Sequence, residues 1–244
     1  MSARATLATT RRVLGQLRHD HRTLVLLLVV PCVLITLLAW IYEGSGTFDR
    51  IGAPLLGLFP FVVMFLVTSV ATLRERTSGT LERLLTMPIG KLDLLVGYAL
   101  AFGALAAIQA GLAGALAIYV LGLDVAGPVG MVFLVAVLDA LLGMALGLFV
   151  SAFAATEFQA VQFMPAVVLP QFLLCGLLIQ RDQMNDVLYA VSSALPLSYA
   201  VDAMSSLVSS TAVDPEVWAD LGVIVGCIVL ALGVGAATLR RRTA

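Results

Sequence analysis

Residues 74–90 read RERTSGTLERLLTMPIG, a charged island in a chain that is otherwise almost continuous hydrocarbon. Apolar runs flank it on both sides, 51–73 before it and 92–123 after it. Within the island Leu81, Leu84 and Leu85 recur at helical spacing and make one apolar face, with Glu82, Arg83 and Thr86 directed elsewhere. Thr77, Ser78 and Gly79 supply turn and capping chemistry where the island begins, and Pro88 limits how far a helix can run. A short amphipathic helix held between two membrane spans has the form of a peg that docks in a groove of another protein. A solvated helix that only links two spans carries the same pattern, and the spacing leaves both readings open.

Composition places the whole chain in a bilayer. Hydrophobic residues make up 61% of it and charged residues 12%, and the mean hydropathy is +1.05. A soluble domain is about one quarter charged, so this balance predicts an all-α polytopic membrane protein with one transmembrane domain over 1–244. Outside the apolar runs no basic surface large enough for nucleic acid is left. Cys32, Cys175 and Cys227 all fall inside apolar runs, where thiols behave as small hydrophobes, so neither a disulfide nor a metal site is expected.

Six spans are expected, over about 24–42, 51–73, 92–121, 129–153, 160–179 and 217–239, with Pro165 and Pro170 kinking the fifth. Ahead of them, residues 3–22 place Arg4, Arg11, Arg12, Arg18 and Arg22 among Leu7, Val13, Leu14 and Leu17. That pattern predicts a basic amphipathic helix on the membrane surface. The basic stretch is too long for a signal peptide, and no small-x-small cleavage site follows. His19 and His21 read as plain surface residues. The N-terminal segment, the island and the C-terminus hold 12 of the 14 Lys and Arg, and a six-span threading puts all three on one side. The positive-inside rule makes that side cytoplasmic, together with both termini. The preference for Arg over Lys hints at a bacterial source and hence a bacterial plasma membrane.

The long segment before the last span, about 183–210, predicts two short amphipathic helices. One carries Met184, Val187, Leu188 and Val191, the other Leu197, Val201, Met204 and Val208. At about 12 residues each they are too short to cross alone, so they are expected to dip into the outer leaflet or lie on it. Asp139 is the acidic residue set well inside a span. It reads either as a cation or proton site, or as a protonated or hydrogen-bonded carboxyl that ties helices together. Gln109, Gln162 and Gln171 could line a polar patch on a substrate path. The small-xxx-small pairs Gly103/Ala107 and Gly143/Gly147 read as close helix packing.

The island RERTSGTLERLLTMPI resembles the segment after the second span in permeases of the ABC type-2 exporter family. There a Glu-Arg pair, a Gly-Thr, a Glu and two leucines precede a Pro. The stretch LLCGLLIQRDQMNDVLYAVSSALPLSYAVDAM is similar to that family's end of the fifth span, with Gly176, Pro196, Leu197, Tyr199 and Asp202 in the pattern. Here Leu-Leu-Ile-Gln replaces the aromatic residue or proline that usually follows the glycine. The nearest branch is that of daunorubicin-type drug-efflux permeases. The resemblance implies the membrane subunit of an ATP-driven exporter of amphipathic compounds, working as two permease copies, homodimeric or heterodimeric, with the pathway between them. It also implies that the island is a coupling helix over 75–90 seated in a cleft of a separate ATPase, with Glu75, Gly79, Thr80, Glu82, Leu84 and Leu85 at the contact.

The chain contains no G-x-x-x-x-G-K-[ST] loop, so ATP and Mg²⁺ are expected on the partner and no cofactor on this chain. An ion-coupled secondary transporter or channel using Asp139 is the alternative; it would call for several intramembrane charges and inverted repeats. An intramembrane enzyme is the third class, and no catalytic constellation is legible for it, because both histidines precede the first span and a two-aspartate site lacks its second member.

Overall fold

A computed structural model describes residues 2–78 and 90–238. Residues 79–89, which hold most of the expected coupling helix, and 239–244 lie outside the described residues. All regular structure among the described residues is helical: α1 (Ala3–His19), α2 (His21–Ile41), α3 (Thr47–Thr77), α4 (Lys91–Ala115), α5 (Val129–Ser151), α6 (Glu157–Leu174), α7 (Asp186–Ala194), α8 (Pro196–Ser209) and α9 (Pro215–Thr238). A π turn, Leu116–Val120, closes α4, and a 3₁₀ turn, Arg181–Gln183, precedes α7.

Five of these stretches are long and apolar enough to cross a membrane: α2, α3, Val96–Val120, α5 and Pro215–Gly235. Two short helices supply a further candidate, since α7 and α8 together are apolar enough and meet at 95°, as a broken span or a re-entrant loop. The expected fifth span starts earlier and ends sooner than predicted. As α6 it is 18 residues long and carries Glu157, Gln159, Gln162 and Gln171 besides its two prolines, and it is not among the five.

The centre of the bundle is the crossing of α3 and α5. Gly143 and Gly147 of α5 rest on the backbone carbonyls of Phe61 and Phe65 of α3, so close that a Cβ at either position would collide with main chain. The pair singled out by its spacing therefore packs two helices of the same chain. Around that seam Leu56, Phe61, Phe65, Val132, Leu142, Leu197 and Met204 are fully or almost fully buried. Burying that many large side chains against one another supplies dispersion contacts that lipid tails would match only loosely.

α1 forms as a helix over the expected basic segment and packs on the bundle. Its buried face is Thr6, Thr9, Val13 and Leu17, while Leu7 is exposed. It rests on α4: the Thr10 hydroxyl donates to the Gly97 carbonyl at 3.1 Å, and the Ser2 amide donates to Asp93 Oδ1 at 2.9 Å. The threonines lie in the buried face because their hydroxyls are satisfied one turn back, Thr6 on the Ser2 carbonyl and Thr9 on that of Ala5. Asp20 then ends α1 and caps α2, accepting from the Thr23 amide at 3.1 Å and the Thr23 hydroxyl at 2.7 Å.

The two short helices also separate. α7 leaves Val187, Leu188, Tyr189 and Val191 exposed, as expected of a helix on or in a leaflet surface. α8 buries Leu197, Ala200, Val201, Ala203, Met204 and Leu207 and packs against α3, α5 and α9. It belongs to the bundle rather than to its surface.

Candidate functional site

The last turn of α3 leads into the island, and three successive residues there fasten it to three other helices, with a fourth joined through Arg12. Arg74 forms a two-pronged ion pair with Glu157 at the start of α6, at 2.8 and 3.1 Å. Glu75 accepts from Arg12 of α1 at 3.1 Å, and the same guanidinium nitrogen lies 3.0 Å from the Tyr98 hydroxyl of α4. Arg76 donates to the Ser151 carbonyl at the end of α5. Consecutive helical residues point about 100° apart, so a run of three charges reaches neighbours on three sides. Arginine suits the role because its planar fork satisfies a carboxylate with two bonds. The Glu157 carboxyl is held below its ordinary range, first by the hydrogen bonds from Arg74. Of the residues expected at the ATPase contact, Glu75 is thus engaged within the chain, while Gly79, Thr80, Glu82, Leu84 and Leu85 lie outside the described residues.

In the core, Asp139 is 1% exposed, and neither carboxylate oxygen has a hydrogen-bond partner among the described residues. It faces Gly57 of α3, whose missing side chain leaves room: a Cβ there would lie 3.0 Å from Asp139 Oδ2. No hydrogen bond joins this carboxyl to another helix among the described residues; it packs against a glycine of α3.

The three glutamines do not form one patch. Gln109 is buried, and its amide donates to the Leu27 carbonyl of α2 at 2.8 Å, across 82 residues of sequence. Gln171 is buried too, bonded to the Val167 carbonyl at 3.1 Å and accepting from the Leu197 amide at 3.4 Å. Those two tie backbones of neighbouring elements, while Gln162 is exposed on α6.

At the far end of the bundle the motif residues Gly176, Tyr199 and Asp202 converge on a residue the sequence reading passed over, Arg181. Asp202 forms an ion pair with it, and the Ser193 hydroxyl accepts from it at 2.9 Å. The rings of Tyr189 and Tyr199 each lie 5.4 Å from the guanidinium carbon. Gly176 sits at φ +95°, and a Cβ there would lie 3.2 Å from Arg181 Cγ. Glycine at that position both makes the turn and leaves space for the arginine stem. Part of the signal was present in the sequence: apart from Arg50, Arg181 is the single basic residue on the expected outer side.

These features define a multi-pass, all-helical membrane protein whose polar contacts gather at its two ends. Residues 4–208 match the ABC-2 type transporter family, and the chain belongs to that family. It is 29% identical over 147 residues to a protein described as a probable multidrug ABC transporter permease, YbhS, of Escherichia coli (strain K12), covering 60% of this chain and 39% of that one. It is 22% identical over 213 residues to the linearmycin resistance permease protein LnrN of Bacillus subtilis (strain 168), covering 87% and 55%. It is 27% identical over 164 residues to ABC transporter G family member 20 of Dictyostelium discoideum, covering 67% and 22%. In each case the match spans well under two thirds of the relative's length.

Proposed function

We propose that this chain is the permease subunit of an ATP-driven exporter of amphipathic compounds, worked by a separate ATPase that docks on the segment 75–90 from the cytoplasm. The observation that supports this reading best is the triple fastening of Arg74, Glu75 and Arg76. A force applied where α3 ends is shared by α1, α5 and α6, and through Arg12 by α4. A continuous helix of 31 residues, about 46 Å at helical rise, carries it across the bilayer. Such an end-clamped helix converts a rigid-body motion outside the membrane into a tilt of the bundle inside it.

Family membership supports the same reading, as does the description of two relatives as multidrug or resistance permeases. Both termini and the island are then cytoplasmic, the nucleotide and Mg²⁺ belong to the partner, and a second permease copy completes the pathway. The isolation of Asp139 weighs against the ion-coupled alternative, because no second buried charge stands near it among the described residues.

The experiment is co-purification with a co-expressed ATPase subunit, with ATP hydrolysis and export measured with and without this chain. Glu82→Lys and Leu84→Asp should each abolish assembly and export while the chain still inserts in the membrane. Wild-type assembly and transport by both variants would sink the docking assignment.

A further inference from the structure

Beneath α1, at the end of the bundle that carries Arg74 and Glu75, a cavity of about 360 Å³ opens between α1, α2, α3, α4 and α6. Its long wall is apolar, made by Leu66, Val67 and Val70 of α3. Leu26 of α2 and Val161 of α6 stand at its side, both exposed toward the surroundings of the bundle, which for these spans is lipid. Its polar end is set by Asp20, Arg74 and Glu75. From Leu66 to Arg74 is eight residues of helix, about 12 Å. The cavity therefore has one wet end and one greasy side, the shape of a single amphiphile rather than of a water-soluble solute.

The charges decide which amphiphile. Arg74 is spent on Glu157, and Arg12 on one oxygen of Glu75. Asp20 makes hydrogen bonds to Thr23 and no direct ion pair among the described residues, with the Arg74 charge acting on it at longer range. With the two ion pairs neutral, the polar end keeps one negative charge and carboxylate lone pairs on both Asp20 and Glu75. An anionic head would meet an Arg74 guanidinium already held by Glu157 and two carboxylates that outnumber it among the residues at the polar end; a protonated amine meets acceptors.

We infer that this cavity binds an amphiphile with a primary ammonium head and an apolar chain, the head between Asp20 and Glu75 and the chain along Val67 and Val70. The same chemistry is offered by an aminophospholipid of the surrounding leaflet and by a free alkylamine. The site needs only that the spans lie in a bilayer, so it stands or falls apart from the ATPase reading.

The test uses the full chain in dodecyl maltoside and reads the melting midpoint against added dodecylamine, with dodecanoate as the anionic counterpart. Dodecylamine should raise the midpoint saturably and dodecanoate should not. Asp20→Asn keeps an acceptor for the Thr23 amide but removes the charge, and should weaken the apparent affinity by at least about tenfold. Val70→Trp, which fills the cavity without touching a charge, should weaken it as much, and Glu43→Gln at an exposed turn should leave it unchanged. In a second arm the chain is reconstituted with phosphatidylethanolamine or phosphatidylglycerol, and retained lipid is counted by native mass spectrometry. Preferential retention of phosphatidylethanolamine, lost in Asp20→Asn, identifies the bilayer as the source; binding of dodecylamine alone identifies a free amphiphile. Equal responses to dodecylamine and dodecanoate, or wild-type affinity in either cavity variant, would overturn the inference.

Discussion

Each end of the bundle is fastened by an arginine set against tyrosine and a carboxylate, yet the two fastenings join very different lengths of chain. Arg12 reaches Glu75 and Tyr98, 63 and 86 residues away, and so pins α1 to α3 and α4. Arg181 reaches Ser193 and Asp202, 12 and 21 residues away, and closes a hairpin on itself. The first depends on the whole bundle being assembled, because its partners meet nowhere else. The second can form as soon as the chain from 176 to 202 is folded, since its loop-closure cost is small. The far clamp is local to one stretch of chain, while the near one joins several helices.

The largest expected effect comes from breaking the local clamp. The Arg181 side chain is 12% exposed and that of Asp202 40%, so Arg181→Ala leaves a half-buried carboxylate and two unstacked tyrosines, costing about 3 kcal/mol. Protease cleavage across 175–215 in reconstituted protein should rise steeply while the rest of the chain stays resistant. Cleavage that spread evenly over the chain would show the hairpin is no separate unit.

Gly176→Ala tests the same clamp from its backbone. A non-glycine residue in the left-handed region costs about 1–2 kcal/mol, and the added Cβ presses on Arg181 Cγ. Its melting midpoint should fall, and the loss should shrink in an Arg181→Ala background, where the stem no longer crowds the turn.

At the other end Arg12→Ala orphans Glu75, whose side chain is 14% exposed, and should cost about 2 kcal/mol, with α1 still held by its threonine contacts. Its signature is positional. A cysteine placed at Thr9, buried against α4, should become reactive to a thiol reagent in Arg12→Ala and stay protected in the parent.

The smallest effect is a pH dependence at the Arg74–Glu157 pair, whose side chains are 57% and 51% exposed. Arg74 depresses the folded-state value of Glu157 below the unfolded one, near 4.5. The contribution is therefore full above that unfolded value and is lost as pH falls through the lower folded one. Glu157→Gln should lower the melting midpoint slightly at pH 7, and the difference from wild type should vanish at strongly acid pH.

Much of the near end was legible in advance. The apolar runs, the basic N-terminal helix and the end of the second span all follow from hydropathy and charge, because lipid admits few alternatives to an apolar helix. The island could be singled out for the same reason: charge between two spans must serve something outside the hydrocarbon. Half of the face that α1 buries was legible, Val13 and Leu17; Thr6 and Thr9 were not, because they look polar in sequence but bond back to their own helix. α7 and α8 could not be told apart, since both alternate apolar and small polar residues at the same spacing. Arg181 sat inside a quoted motif without being weighed, because its partners are named only when Tyr199 and Asp202 come round one helix later.

Sequence alone determined that this chain is a helical membrane protein, which family it belongs to, and which short segment interrupts its hydrocarbon, since each follows from composition or local order. Tertiary structure decided that Gly143 and Gly147 seat α5 on α3, that α8 joins the core while α7 stays outside, and that Arg74, Glu75 and Arg76 bind four helices at one point. Those outcomes rest on distances between residues far apart in the chain, and a buried glycine or an engaged arginine looks in sequence like any other.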